Sequence, residues 1–195
     1  SGGASLGVLV SVDQDLGDQF AYSVVTGGDA EYFSIGGAND DELLIQGAVL
    51  DFETKAQYQV VVRSTDLQGL FVDEMILVSL LDLNEAPEFT NQNFSIDENS
   101  INGTTVGVLS AIDVDADDVL SYQVIGGTGV GILDVNEVTG EVSVVDDSLL
   151  NYELTPSLDL LVEVVDSQGL SNSTNILVEL NDLNDEQNLI VNSAL

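Results

Sequence analysis

The chain repeats itself at an offset of 100 residues. Leu6-Gly7-Val8-Leu9-Val10-Ser11-Val12-Asp13-Gln14-Asp15 aligns with Val106-Gly107-Val108-Leu109-Ser110-Ala111-Ile112-Asp113-Val114-Asp115, and Tyr22 falls on Tyr122. Leu50-Asp51-Phe52-Glu53 then falls on Leu150-Asn151-Tyr152-Glu153, and Asp66-Leu67-Gln68-Gly69-Leu70 on Asp166-Ser167-Gln168-Gly169-Leu170. Asp82-Leu83-Asn84 closes the first unit as Asp182-Leu183-Asn184 closes the second. A period this long makes each unit a whole domain rather than a turn of a solenoid. The 195 residues suit two small domains, each with its own core.

Within each unit the pattern is that of short strands. Tyr58, Val60 and Val62, and their counterparts Leu158, Leu160 and Val162, alternate core-facing with outward positions, the period of an extended chain. In the second unit strands are expected at 94–96, 106–112, 120–125, 131–135, 141–145, 158–165 and 175–180. Gly126-Gly127 and Thr139-Gly140 supply turns between them. No helical period is sustained, so an all-β, antiparallel sandwich is the expected fold. Pro87 cannot donate to a ladder and follows a polar stretch, which places the boundary at 82–87. The expected domains are 1–86, 87–186 and a tail, or the start of a further repeat, at 187–195. The first unit has no counterpart of Phe94-Ser95-Ile96-Asp97-Glu98-Asn99, so its N-terminal strand is expected to be missing from this sequence.

The charge balance is extreme: 35 Asp and Glu stand against Lys55 and Arg63, a formal net charge of -33. Such a field repels phosphate backbones and anionic headgroups, which excludes nucleic acid and direct membrane-surface binding and favours cations as partners. The absence of cysteine and histidine removes disulfides and the soft ligands of zinc, copper and iron. It also leaves catalysis only paired carboxylates, so no enzyme is expected. No basic-then-apolar leader and no apolar run of membrane-spanning length occurs, and any export signal or anchor is expected outside this sequence.

Calcium takes six to eight hard oxygen ligands from carboxylates, amide carbonyls, backbone carbonyls and water. In an extended segment residues i and i+2 project to one side, so Asp113 with Asp115, and Asp51 with Glu53, are candidate ligand pairs. A full sphere needs oxygens from distant segments, which loops at a repeat junction can supply. A single Asp pair alone is equally a solvated turn. Halophilic adaptation accounts for the total charge but not for its placement. The Gly-rich stretches Gly27-Gly28-Asp29 and Gly126-Gly127-Thr128-Gly129 are read as turns, since neither a helix nor a lysine follows as a phosphate loop requires.

Several motifs together resemble tandem cadherin repeats. Asp82-Leu83-Asn84-Glu85-Ala86-Pro87-Glu88-Phe89 resembles the cadherin linker, Asp113-Val114-Asp115 the paired-Asp motif and Leu50-Asp51-Phe52-Glu53 the acidic Leu-Asp-x-Glu motif. Asp97-Glu98-Asn99 resembles the Glu-bearing motif early in a repeat, and Asp66 and Asp166 sit where the family has a late ligating Asp. The scarcity of basic residues and the compressed motifs are closer to a bacterial type of cadherin domain. The resemblance implies two tandem seven-stranded Greek-key, immunoglobulin-like β-sandwiches, the first lacking its N-terminal strand. It implies Ca2+ as the cofactor, held at the junction by Asp51, Glu53, Asn84, Glu85, Asp113, Asp115 and Asp166. Asp13, Asp15, Asp66, Glu98, Glu153, Asn184 and Asp185 would form half-sites towards further repeats. The function implied is that of a calcium-stiffened adhesion segment, extracellular or on the cell surface. Its partners would be adjacent repeats of the same protein, with homophilic protein contacts or polysaccharide beyond them. The alternative is a carbohydrate-binding module of a secreted, polysaccharide-associated protein, against which stands the absence of Trp.

Overall fold

A computed structural model describes residues 3–14, 17, 19–47, 50–116 and 118–184. Asp15, Asp185 and the stretch 187–195 lie outside the described residues. The chain divides into two compact units, Ser1–Leu83 and Asn84–Leu195.

In the first unit β1 (Ser5–Val8), β4 (Glu42–Ile45) and β3 (Phe33–Gly36) form one sheet in that order. β2 (Ala21–Val25), β5 (Gln57–Thr65) and β6 (Phe71–Ser79) form the other. The alternation read from the sequence is realised in β5, where Tyr58, Val60 and Val62 are buried and Gln57 and Gln59 are exposed. These three pack with Phe33 and Leu43 of the opposite sheet into one core. Tyr58 meets Tyr32 edge-on, with ring centroids 5.2 Å apart.

The second unit has a four-stranded sheet, β7 (Gln92–Asp97), β13 (Ser171–Asn181), β12 (Ser157–Val165) and β9 (Ser121–Gly126). Its three-stranded sheet is β10 (Leu133–Val135), β11 (Glu141–Val144) and β8 (Thr105–Val108). The pairs within both sheets are antiparallel except β13 with β7, which run parallel from Ile176 opposite Gln92 to Asn181 opposite Asp97. The core is again an alternation: Leu158, Leu160, Val162 and Val164 of β12 are at most 1% exposed, as are Val142 and Val144 of β11. Burying each such side chain contributes about 1.5–3 kcal/mol. β9 and β12 approach closely at Gly127, whose φ is +110°, and a Cβ there would lie 2.2 Å from the Asp159 carbonyl oxygen.

Two strands differ from expectation by four residues at one end, and the others by one or two. β8 stops at Val108 rather than continuing to Ile112. Beyond it the chain leaves its ladder: Leu109 N–H donates to the Gly140 carbonyl at 2.9 Å, and Ile112 exchanges two backbone hydrogen bonds with Glu88 at 2.7 and 3.0 Å. β13 begins at Ser171 rather than at residue 175, because β12 pairs with it along its whole length, from Ser157 opposite Glu179 to Val165 opposite Ser171. Polar residues on this stretch hide a strand that ladder hydrogen bonds impose.

Candidate metal centre

The Asp113 to Asp115 segment is not a strand. It bends after the chain has left β8, and Asp115 N–H donates to Asp113 Oδ1 at 3.0 Å, an Asx turn. The two acids are therefore brought together by turn chemistry, not by the strand spacing expected of them. The linker is tied to the same turn, since Glu85 N–H donates to Asp115 Oδ2 at 3.0 Å. Asn84 Nδ2 donates to Asp166 Oδ2 at 2.7 Å and to the Glu85 carbonyl at 3.1 Å.

Asp166 sits at the start of the β12–β13 turn and is only 6% exposed. Its Oδ1 accepts from the N–H groups of Gln168 at 2.8 Å, Gly169 at 2.5 Å and Leu170 at 2.8 Å. Burial pushes this carboxyl up, but the bond from Asn84 and the three backbone N–H groups outweigh it, so its pKa falls below the ordinary carboxylate value. It is a fixed negative charge at neutral pH. One of its oxygens lies, with one each of Asp113 and Asp118, in a group whose atoms are all within 4.8 Å of one another. At that separation each pair of like charges repels by about 3.5 kcal/mol at an effective dielectric constant of ~20.

Three side-chain oxygens of this cluster, Asn84 Oδ1, Asp113 Oδ2 and Asp118 Oδ2, are buried with no hydrogen-bond donor. A buried acceptor without a partner costs about 1–3 kcal/mol, and more when charged. Buried hard oxygens with no hydrogen-bond partner suit a hard cation and do not suit a soft metal. The oxygens on Asn84, Asp113, Asp118 and Asp166 are therefore of the kind that would fit calcium. Asp118 did not stand out in the sequence, where it is one of three acids in Asp115-Ala116-Asp117-Asp118.

A second group lies elsewhere in the same unit. Glu98, just after β7, is 1% exposed. Its Oε2 accepts from Tyr152 N–H at 2.8 Å and its Oε1 from Leu183 N–H at 2.7 Å. Oxygens of Glu98, Glu153 and Asp182 lie within 4.8 Å of one another, with Glu153 and Asp182 exposed. Glu98 and Glu153 were among the expected half-site residues; Asp182 was noted only as closing the repeat. Asn184, also expected there, is exposed. Asn151, which stands where the first unit has Asp51, turns its Oδ1 to Leu154 N–H at 2.9 Å.

In the first unit Asp51 is exposed and accepts from Thr54 Oγ1 at 2.6 Å and from Glu53 N–H at 3.2 Å. Its pKa is lowered, chiefly by the Thr54 hydroxyl. Glu53 and Asp13 are exposed. Asp66 repeats the turn of Asp166, accepting from Gln68 and Leu70 N–H groups, both at 2.8 Å.

Comparison with known proteins bears on the fold. Residues 92–181 match the Cadherin domain family. The chain is 29% identical over 199 residues to human Cadherin-related family member 2, covering 95% of this chain and 15% of that protein. It is 27% identical over 186 residues to mouse Protocadherin Fat 2, covering 91% of this chain and 4% of that protein. It thus spans a small part of these curated relatives. Among solved structures it resembles human Protocadherin-24 EC1-2, with a TM-score of 0.74 and 22% identity over 94% of this chain and 91% of that one. It also resembles mouse Cadherin-23 EC22-24, with a TM-score of 0.68 and 20% identity over 95% of this chain and 62% of that one. Residues 92–181 thus form a cadherin-like domain, and the family matched there is one of extracellular adhesion domains, not of enzymes. No helix among the described residues is long and apolar enough to cross a membrane.

Proposed function

We propose that these cadherin-like repeats bind calcium through the carboxylate clusters of the second unit, and that bound calcium stiffens the connection between adjacent repeats of an extracellular or cell-surface adhesion protein. The observation that carries the reading is the set of three donor-less buried oxygens on Asn84, Asp113 and Asp118. A divalent cation supplies there the positive charge that the described residues lack, converting carboxylate repulsion into coordination. Asp166 holds the Asn84 side chain by its amide nitrogen, which leaves the amide oxygen available as a ligand. Glu85, through its backbone, fixes the Asp115 carboxylate.

The second cluster, Glu98, Glu153 and Asp182, is read as a further calcium site, with Asn184 and Asp185 beside it in sequence. The ligand roles of Asp51, Glu53, Glu85 and the half-site residues Asp13, Asp15 and Asp66 are proposed from the resemblance of their motifs. So are the Greek-key connectivity of both units, homophilic contacts and a bacterial type of domain. Titration calorimetry of the metal-free chain with calcium tests the proposal. Asp113→Asn is expected to weaken binding about tenfold or more, a loss of roughly 1.4 kcal/mol, while Asp66→Asn leaves it nearly unchanged. Absence of calcium binding up to about 10 mM, above the range of extracellular calcium modules, would refute it, as would equal losses from the two variants.

A further inference from the structure

The sequence contains a single Asn-Gly step, Asn102-Gly103, and neither residue belongs to a carboxylate cluster described above. Asparagine is among the thermolabile residues. It is most so before glycine, because the missing Cβ lets the glycine nitrogen reach the asparagine Cγ with little steric hindrance. The step lies in the loop between β7 and β8, and both residues are exposed.

The loop holds the step in a defined geometry. Thr104 N–H donates to the Ile101 carbonyl at 3.0 Å, which closes a turn with Asn102 and Gly103 at its centre. Gly103 has a φ of +86°, the value a type II turn requires at its second central position. The turn is tied in its turn to the segment 144–147. Gly103 N–H donates to the Val144 carbonyl at 2.8 Å, and Val144 N–H donates back to the Thr104 carbonyl at 3.0 Å. Asn102 N–H donates to Asp147 Oδ2 at 3.1 Å, and Asp147 N–H donates to Asn102 Oδ1 at 2.8 Å.

These bonds act on the two reacting groups in opposite ways. Ring closure needs the Gly103 nitrogen without its proton, and in the closed turn that N–H is committed to Val144. Asp147 N–H, by contrast, already donates to the side-chain carbonyl oxygen on which charge develops when Cγ is attacked. The nucleophile is held back while the electrophile is held ready.

We propose that Asn102 is a latent deamidation site whose lock is the hydrogen bond from Gly103 to Val144. When that bond opens, the Gly103 nitrogen bonds to Asn102 Cγ and the Cγ–Nδ2 bond breaks. The side-chain nitrogen leaves as ammonia, taking up the proton that Gly103 gives up. Water then adds to one of the two carbonyls of the succinimide, leaving aspartate or isoaspartate at position 102. Either product sets a new carboxylate beside Asp147 in a chain already at -33, and the isoaspartyl form also lengthens the main chain within the turn. The step is one-way, so its extent records the time the turn has spent open.

Hydrogen exchange at Gly103 and attack by its nitrogen both require the same N–H to be released and deprotonated, so folding should slow both by a common factor. The test holds the full chain, folded and in urea, in mildly alkaline buffer. Peptide mapping with isoaspartate detection follows position 102, and NMR follows exchange of the Gly103 amide. The ratio of unfolded to folded deamidation rates is expected to match the exchange protection of Gly103 within about threefold. Asp147→Ala, which removes the acceptor of Asn102 N–H, should speed both reactions together. A folded chain that deamidates as fast as the unfolded one while Gly103 stays protected overturns the proposal. So does an unfolded chain in which another asparagine reacts first, or an Asp147→Ala chain that gains in exchange and not in deamidation.

Discussion

Asp113, Asp118 and Asp166 hold three negative charges together in a chain with almost no positive ones, and that arrangement makes a prediction of opposite signs. Without calcium, Asp118→Asn removes repulsion and is expected to raise the melting temperature of the second unit. With calcium the same variant loses a ligand and should melt below the parent. Scanning calorimetry of both proteins in both buffers checks the reversal; a variant that shifts the same way in each buffer would contradict it. A second residue-scale prediction concerns Asp29. The Lys55 ammonium, above all, and the Gln59 N–H hold its carboxyl below the ordinary value, and the Asp29 carboxylate raises Lys55 in return. A depressed carboxyl contributes stability that is present above the unfolded value near 3.9 and is lost as pH falls through the folded one. The raised lysine contributes below about 10.4 and loses its part as pH rises through its own folded value. Urea unfolding at neutral pH and at about pH 3 should therefore show the gap between parent and Asp29→Asn narrowing in acid; a constant gap would rule the pair out as its source. Of the proposed ligands, Asn84, Asp113, Asp115 and Asp166 sit in motifs that the sequence displays. Asp118 does not, since three acids stand together in sequence and only the fold decides which turns inward.

At the scale of strands, legibility follows burial. β5 and β12 announce themselves because their inward residues are apolar and their outward ones are more polar, the pattern a half-buried strand requires. β13 is read late by four residues because its first turn-proximal residues, Ser171-Asn172-Ser173, carry no apolar alternation and are strand only by pairing with β12. β8 is read too long for the converse reason: Leu109 and Ile112 continue an apolar run, yet their backbone bonds go to Gly140 and Glu88. The energetic counterpart is testable. Leu160→Ala in β12, at 0% exposure, should cost about 2–5 kcal/mol in chemical unfolding of the second unit. Leu154→Ala, at 82% exposure, should fall within about 0.5 kcal/mol of the parent. Similar losses from both would contradict the core assignment.

At the scale of the molecule, the offset of 100 residues was the most informative feature of the sequence, because it fixed two domains before any strand was assigned. Among the described residues β6 pairs with β5 alone, whereas its counterpart β13 pairs with both β12 and β7. What the repeat could not show was how an identical motif differs in setting. Asp66 and Asp166 make the same turn, but only Asp166 receives an asparagine side chain and lies in a group of buried, donor-less oxygens. A net charge of -33 explains why the account turns on a cation at all, since screening alone should stabilise such a chain somewhat. The central claim is that calcium acts by coordination and not by screening. The most direct measurement is a calorimetric melt in about 10 mM calcium chloride against sodium and magnesium chloride at equal ionic strength. Sites of ~10⁻⁴ to 10⁻³ M then add about 1.4–2.7 kcal/mol each by linkage, and the transition of the second unit should rise by at least about 4 °C more in calcium. A rise no larger than that given by sodium or magnesium would contradict the account.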